Sequence, residues 1–120
     1  MNTFDLIIIG SGPAGYIGAM KAAQLGMRVA LVEKEKYLGG TCLNVGCIPS
    51  KALLHSTEMY HYLKDRGSSH GIECEDLRAN ISLLMQRKQG VVDKLRKGID
   101  YWMSSKKITV IYGEGTLVQG

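Results

Sequence analysis

Two prolines, one phenylalanine, one tryptophan, three histidines and three cysteines are the scarce residues of this 120-residue chain, and each scarcity excludes something. So few prolines and no low-complexity segment leave no room for a proline-rich linker. With 45% hydrophobic and 22% charged residues, the chain reads as one soluble, globular domain. The apolar run at the N-terminus, Leu6 to Ile9, has no basic flank and is too short for a signal peptide or a membrane span. A cytoplasmic protein with no membrane association is expected. Basic residues outnumber acidic ones 15 to 11, yet no Lys/Arg run exceeds two and no aromatics interleave with them, so nucleic acid is not an expected partner. Three cysteines argue against a secreted disulfide scaffold and for chemistry at some of them. His55, His61 and His70 share no ligand spacing and read as surface or helix-packing residues.

Glycine, by contrast, is abundant, and its placement is informative. Phe4 to Ile9 is a continuous apolar run ending at Gly10, the pattern of a buried parallel strand. Gly10-Ser11-Gly12-Pro13-Ala14-Gly15 follows and opens an alanine-rich helical segment that reaches Leu25 and stops at Gly26. Arg28 to Glu33 is a second strand ending in an acid. This is a β-α-β unit with G-x-G-x-x-G on its first turn. Gly10 suits the tight turn, Gly12 the approach of a pyrophosphate and Gly15 the packing of helix on strand. Backbone N–H groups and the positive end of the helix would face that pyrophosphate. Glu33, eighteen residues past Gly15, is near the spacing of the acid that accepts from ribose hydroxyls. Dinucleotide binding is the expectation.

The next stretch, Gly39 to Lys51, holds Cys42 and Cys47 behind a glycine pair and ahead of Pro49. Five helical steps rise ~7.5 Å, whereas a disulfide wants Cα atoms roughly 4.4–6.8 Å apart. The two can close a bridge only where the backbone leaves the helix, and Gly46 loosens it there. Such a small constrained loop yields an easily reduced disulfide. A helix predicted from Pro49 to about Lys64, with Leu53, Leu54 and Tyr60 on its buried side, would aim its positive end at Cys47 and favour a thiolate there. Zinc is disfavoured because no second ligand pair is present, and no metal site is expected. Cys74, alone in an acidic loop, reads as inert. Lys51 lies one short turn past Cys47, near enough for a role beside a thiolate or an electron-rich ring.

Downstream, Gly67 to Asp76 reads as loop. A long helix is expected from about Asp76 to Ser105, with Ile81, Leu84, Val92, Leu95, Ile99 and Trp102 inward and a possible break at Gly90 or Gly98. Its basic residues, Arg87, Lys88, Lys94, Arg96 and Lys97, read as a solvated face. Ile108 to Tyr112 is a third short strand, Gly113 to Gly115 a turn, and Thr116 to Val118 the start of a fourth strand.

The run from Gly39 to Leu54, GGTCLNVGCIPSKALL, resembles the redox motif of the flavin-dependent disulfide reductases, and the resemblance extends from Leu6 to about Leu117. The CIPSK ending favours the dihydrolipoamide branch of that family over glutathione or mercuric reductases. The resemblance implies an α/β fold: a Rossmann-like FAD-binding domain with a central parallel sheet, spanning 1–120 and incomplete at its C-terminus. The bound nucleotide would be FAD. Gly10, Ser11, Gly12, Pro13, Ala14 and Gly15 would line its pyrophosphate, and Glu33, with Lys34 beside it, would hold the adenosine ribose. Gly40, Thr41 and Cys42 would lie along the flavin side, Lys51 would approach the reactive edge of the ring, and Gly115 would touch FAD from the last turn. Cys42 would exchange with the dithiol substrate, and Cys47 would lie against the flavin. NAD would be a co-substrate bound outside this chain.

The same resemblance implies an oxidoreductase that converts dihydrolipoamide and NAD⁺ to lipoamide and NADH. Its partners would be lipoyl groups of 2-oxo acid dehydrogenase complexes, and the full-length form would be a homodimer. A second glycine motif, the central and dimerisation domains, and the family's histidine–glutamate acid–base pair do not occur in these residues. The chain is therefore expected to be an N-terminal fragment, inactive alone. Two alternatives stand beside this reading: another disulfide or a metal ion as substrate, or a nucleotide-binding module that retains NAD and has structural cysteines.

Overall fold

The computed structural model describes residues 3–119; of the domain expected over 1–120, residues 1, 2 and 120 lie outside that range. Three strands, β1 (Leu6–Ile9), β2 (Val29–Glu33) and β3 (Thr109–Tyr112), form one parallel sheet with β2 in the middle. This is the sheet expected from the three apolar runs. Register pairs Ile9 with Val32 and Glu33 with Tyr112, so the carboxyl ends of the strands lie together. In open α/β sheets that edge is where ligands bind.

Burial follows position in the sheet. The central strand is buried at Val29, Ala30, Leu31 and Glu33, whereas Ile7 and Ile9 of β1 are 57% and 50% exposed. The expectation of a buried first strand is thus corrected. A continuous apolar run suits a strand with neighbours on both sides, and among the described residues β1 has one on a single side.

Helix α1 (Pro13–Gln24) follows the glycine turn and stops at Gly26, whose φ of +86° favours glycine. Its inward residues are small, Gly15, Ala19 and Ala22, which lets it lie close on the sheet. After β2 comes a short helix the sequence did not announce, α2 (Gly40–Asn44), and then α3 (Cys47–Arg66). The start of α3 corrects the boundary expected at Pro49. Gly46 caps the helix and its carbonyl accepts from the Ser50 N–H and hydroxyl, at 3.0 and 2.7 Å. Pro49 sits in the first turn, where N–H groups have no intrahelical acceptor, so its missing donor costs nothing.

The long helix α4 (Ile81–Ser105) also starts later than expected, because Asn80 caps it by accepting from the Leu83 N–H at 3.1 Å. It runs unbroken through Gly90 and Gly98. Val92, Ile99 and Met103 form its buried stripe, while Ile81, Leu95 and Trp102, expected inward, are 67%, 41% and 41% exposed. On α3, Pro49 and Ala52 are buried and Leu54 is exposed. Fully buried side chains such as Leu31 and Val92 contribute about 1.5–3 kcal/mol each. No strand forms at Thr116–Val118; Leu117 and Val118 are exposed and pair with nothing among the described residues. No helix of the described residues is long and apolar enough to cross a membrane.

Candidate functional site

The turn between β1 and α1 is built by glycines with different duties. At Gly15, a Cβ would lie 1.9 Å from the Gly10 carbonyl oxygen, so only glycine lets the helix start so close to the strand. At Gly12 a Cβ would meet nothing within 4 Å. No packing within the chain requires glycine there, and the bare backbone leaves room for a ligand to approach.

Ser11 joins this turn to the rest of the site. Its N–H donates to Glu33 Oε2 at 2.8 Å, and its hydroxyl donates to the same oxygen. The Ser11 carbonyl and hydroxyl oxygens accept from the Gly39 N–H at 3.0 and 3.2 Å. The glycine loop is thereby tied both to the end of β2 and to the start of the cysteine stretch. Gly40, at φ +63°, comes so close that a Cβ would sit 2.7 Å from the Gly12 Cα.

Glu33 is buried, and burial is the largest single influence on its carboxyl, pushing the pKa up. Hydrogen bonds from the Ser11 hydroxyl and from the N–H groups of Glu35, Ser11 and Lys34 together outweigh it, and the net shift is downward. Oε2 takes both bonds from Ser11 and Oε1 takes the Glu35 N–H at 2.8 Å. A carboxylate offers about four acceptor sites, so Oε1 keeps capacity for a hydroxyl donor.

These groups line a cavity of about 640 Å³. Of the residues singled out in the sequence, Gly10, Ser11, Gly12, Glu33, Lys34, Gly40 and Thr41 face it. Pro13 and Ala14 form the first turn of α1, and Gly115 packs on β1, with a Cβ position 3.0 Å from the Ile9 side chain. The cavity also draws in Glu35, Lys36, Tyr37, Asn44, Val45 and Arg96. The sequence misplaced Arg96. It is not on a solvated face: its guanidinium lies 3.9 Å over the Tyr37 ring and its side chain is 18% exposed.

The thiols sit just past the cavity. Cys42 lies inside α2 and Cys47 opens α3, so the backbone leaves the helix between them, as the spacing requires. Gly46 permits the close approach, since a Cβ there would be 3.0 Å from the Thr41 carbonyl oxygen and 3.4 Å from the Cys42 Cα. Both cysteines are free thiols, Cys42 half-buried and Cys47 exposed. The Cys42 thiol is pushed up, first by hydrogen bonding with Cys47, then by burial and the Cys47 charge. A backbone hydrogen bond from Cys47 and, after it, the charge of Lys51, one helical turn past Cys47 on α3, oppose this. Cys74 is free and exposed, in the segment that precedes α4. No group of three or more candidate metal ligands occurs among the described residues.

The donor set suits a dinucleotide. It has a bare-backbone glycine at Gly12, the N-terminus of a twelve-residue helix, and a carboxylate with an open acceptor site at the end of β2.

Known proteins resemble this chain. The chain is 51% identical over 114 residues to a dihydrolipoyl dehydrogenase of Manduca sexta, covering 95% of this chain and 23% of that protein. It is 47% identical to a leghemoglobin reductase of Glycine max, covering 95% of this chain and 22% of that protein. Among solved structures it matches the HOCl-induced flavoprotein disulfide reductase RclA of Escherichia coli, determined as its Cu(II) complex. The TM-score is 0.77 at 33% identity, over 98% of this chain and 23% of the other. The chain thus spans about a quarter of each of these relatives. The family model of the pyridine nucleotide-disulphide oxidoreductases matches residues 4–120; the chain belongs to that family.

Proposed function

We propose that this chain is the FAD- and dithiol-bearing part of a dihydrolipoyl dehydrogenase. The observation that carries the reading is the hydrogen-bonded tie from Glu33 through Ser11 to Gly39, which fixes a nucleotide pocket beside a cysteine pair. Gly10, Ser11, Gly12 and the N-terminus of α1 would hold the pyrophosphate, and Glu33 and Lys34 the adenosine ribose. Gly40 and Thr41 would lie along the flavin side, with Lys51 near the ring edge.

In the oxidised pair, a substrate thiolate attacks Cys42 Sγ, the Cys42–Cys47 bond breaks, and Cys47 leaves as a thiolate. The second substrate thiol then displaces Cys42, and the lipoyl disulfide departs. Two electrons and one proton now reside on the cysteine pair, as the Cys47 thiolate and the Cys42 thiol, the other proton having left the substrate for solvent when its first thiol ionised. When bound, FAD supplies the acceptor that reoxidises it, with NAD⁺ as the final acceptor in a site outside these residues. The exposed side of Cys47 is the one a flat ring would cover. Lipoyl groups of 2-oxo acid dehydrogenase complexes are the proposed partners and a homodimer the proposed assembly. A thiol-reducing compartment, the cytoplasm, suits a dithiol in constant use.

The test mixes the purified chain with FAD and follows quenching of flavin fluorescence while reactive thiols are counted before and after reduction. FAD binding, with two additional thiols appearing on reduction, is the expected result. Preferential retention of NAD, with a thiol count that reduction leaves unchanged, would overturn the reading in favour of a nucleotide-binding module with structural cysteines.

A further inference from the structure

Helix α2 carries Cys42 and has only five residues, far fewer than a helix needs to hold itself in water. Its geometry must come from tertiary ties, and one of them runs through its last residue. Both N–H groups of the Asn44 side-chain amide point back at the glycine pair, to the carbonyls of Leu38 at 3.0 Å and Gly40 at 2.8 Å. Its Oδ1 accepts from Arg96 Nε at 2.6 Å, across 52 residues of sequence. A guanidinium has donors only. It therefore admits just one orientation of the amide, the one that turns the NH₂ group onto those carbonyls.

Arg96 is itself held. Nη1 binds Asp93 Oδ1 at 3.0 Å, and the guanidinium plane rests on Tyr37. The other end of α2 meets α3 at Gly46, the close approach that sets Cys42 against Cys47.

We propose that Arg96 is a positioning residue of the dithiol: by fixing the Asn44 amide it holds the helix of Cys42 in place against the helix of Cys47. This rests on the redox reading of the pair given above. The property at stake is how readily the two thiols meet. It is measured by the equilibrium in which protein dithiol and oxidised glutathione give protein disulfide and two reduced glutathiones. One S–S bond forms as another breaks, and two electrons and two protons pass to glutathione.

The experiment determines that equilibrium constant for the chain and for R96M, N44A, the double variant R96M/N44A, and M103V. The last loosens the core under α4 about two turns from Arg96 and removes none of the hydrogen bonds of Asn44. Loss of a charge-assisted hydrogen bond is expected to lower the constant roughly ten-fold in R96M. N44A should fall similarly, the double variant should be no lower than the worse single one, and M103V should match the parent chain. Should R96M fail to fold, R96K, which keeps the stem and charge but loses the fork, carries the same comparison. A parent-like constant in the Arg96 variant, effects that add in the double variant, or an equal fall in M103V would each overturn the proposal. A parent chain that glutathione cannot oxidise at all would overturn the redox reading itself, and this inference with it.

Discussion

Ser11 and Glu33 stand 22 residues apart in sequence, yet two donors of the one converge on a single carboxylate oxygen of the other. The contact locks the glycine turn to the end of β2 and lowers the Glu33 carboxyl below the ordinary value of 4.5, the hydrogen bonds outweighing burial. A carboxyl depressed in the folded state contributes stability above its unfolded pKa and loses it as pH falls through the folded one. Thermal melts should therefore show a loss of stability on acidification below pH 4.5 that is smaller in Glu33→Gln. At neutral pH the Gln variant should be less stable by ~1–3 kcal/mol, since it must turn a donor or a weaker acceptor toward two N–H groups. Equal acid sensitivity in parent and variant would exclude Glu33 as the titrating group.

The two outer glycines of the motif's second half should separate structure from binding. Gly15→Ala puts a Cβ 1.9 Å from a backbone oxygen, an overpacking that nothing flexible can relieve. A loss of about 3 kcal/mol or more is expected, a fall in Tm of roughly ten degrees or more. Gly12→Ala meets open space at a φ of −62° that alanine tolerates, so Tm should hold or rise slightly. FAD affinity, by contrast, should drop at least ten-fold. A Gly12→Ala chain that binds FAD normally would show that the ligand does not approach this backbone.

How much of this was legible in the sequence depends on how local each signal was. The β-α-β unit and the glycine turn were readable because each glycine acts on neighbours a few residues away. The cysteine pair was readable from its spacing, although the spacing did not reveal that Cys42 sits in a helix of its own. Boundaries failed where a side chain decided them: Asn80 starts α4 five residues late, and Gly46 rather than Pro49 starts α3. A fourth strand was read from the composition of Thr116–Val118, but a strand needs a partner, which composition does not supply. Arg96 was illegible. Nothing on its own helix distinguishes it from Lys94 or Lys97, and its meaning comes from Tyr37 and Asn44, brought near only by the fold.

On the proposed reading the two thiols do different work. Cys47 is the first residue of a twenty-residue helix, whose N-terminus favours negative charge. Cys42 is held protonated by its hydrogen bond with Cys47 and by burial. In a chain extended over the full length of the relatives and loaded with FAD, Cys42→Ser should retain the thiolate–flavin charge-transfer band and Cys47→Ser should lose it. The reverse pattern would exchange the roles of the two residues.

The last expectation concerns the 120 residues alone. Catalysis at Cys42 needs a group to move the substrate's proton, worth typically ~10²–10⁴-fold in rate, and the charged or titratable neighbours acting on its thiol are Cys47 and Lys51. One is the partner thiol, itself consumed in the exchange, and the other a lysine; neither is a carboxylate or an imidazole. Hydride transfer needs a second nucleotide held against the flavin, and the G-x-G-x-x-G at Gly10 to Gly15 is the single such motif in the sequence. FAD binding and thiol exchange should thus persist in this chain while turnover does not. With lipoamide and added FAD present, NADH oxidation should stay at the rate given by free FAD, and sustained oxidation above it would mean that these residues hold a nicotinamide site and a proton-transfer group of their own.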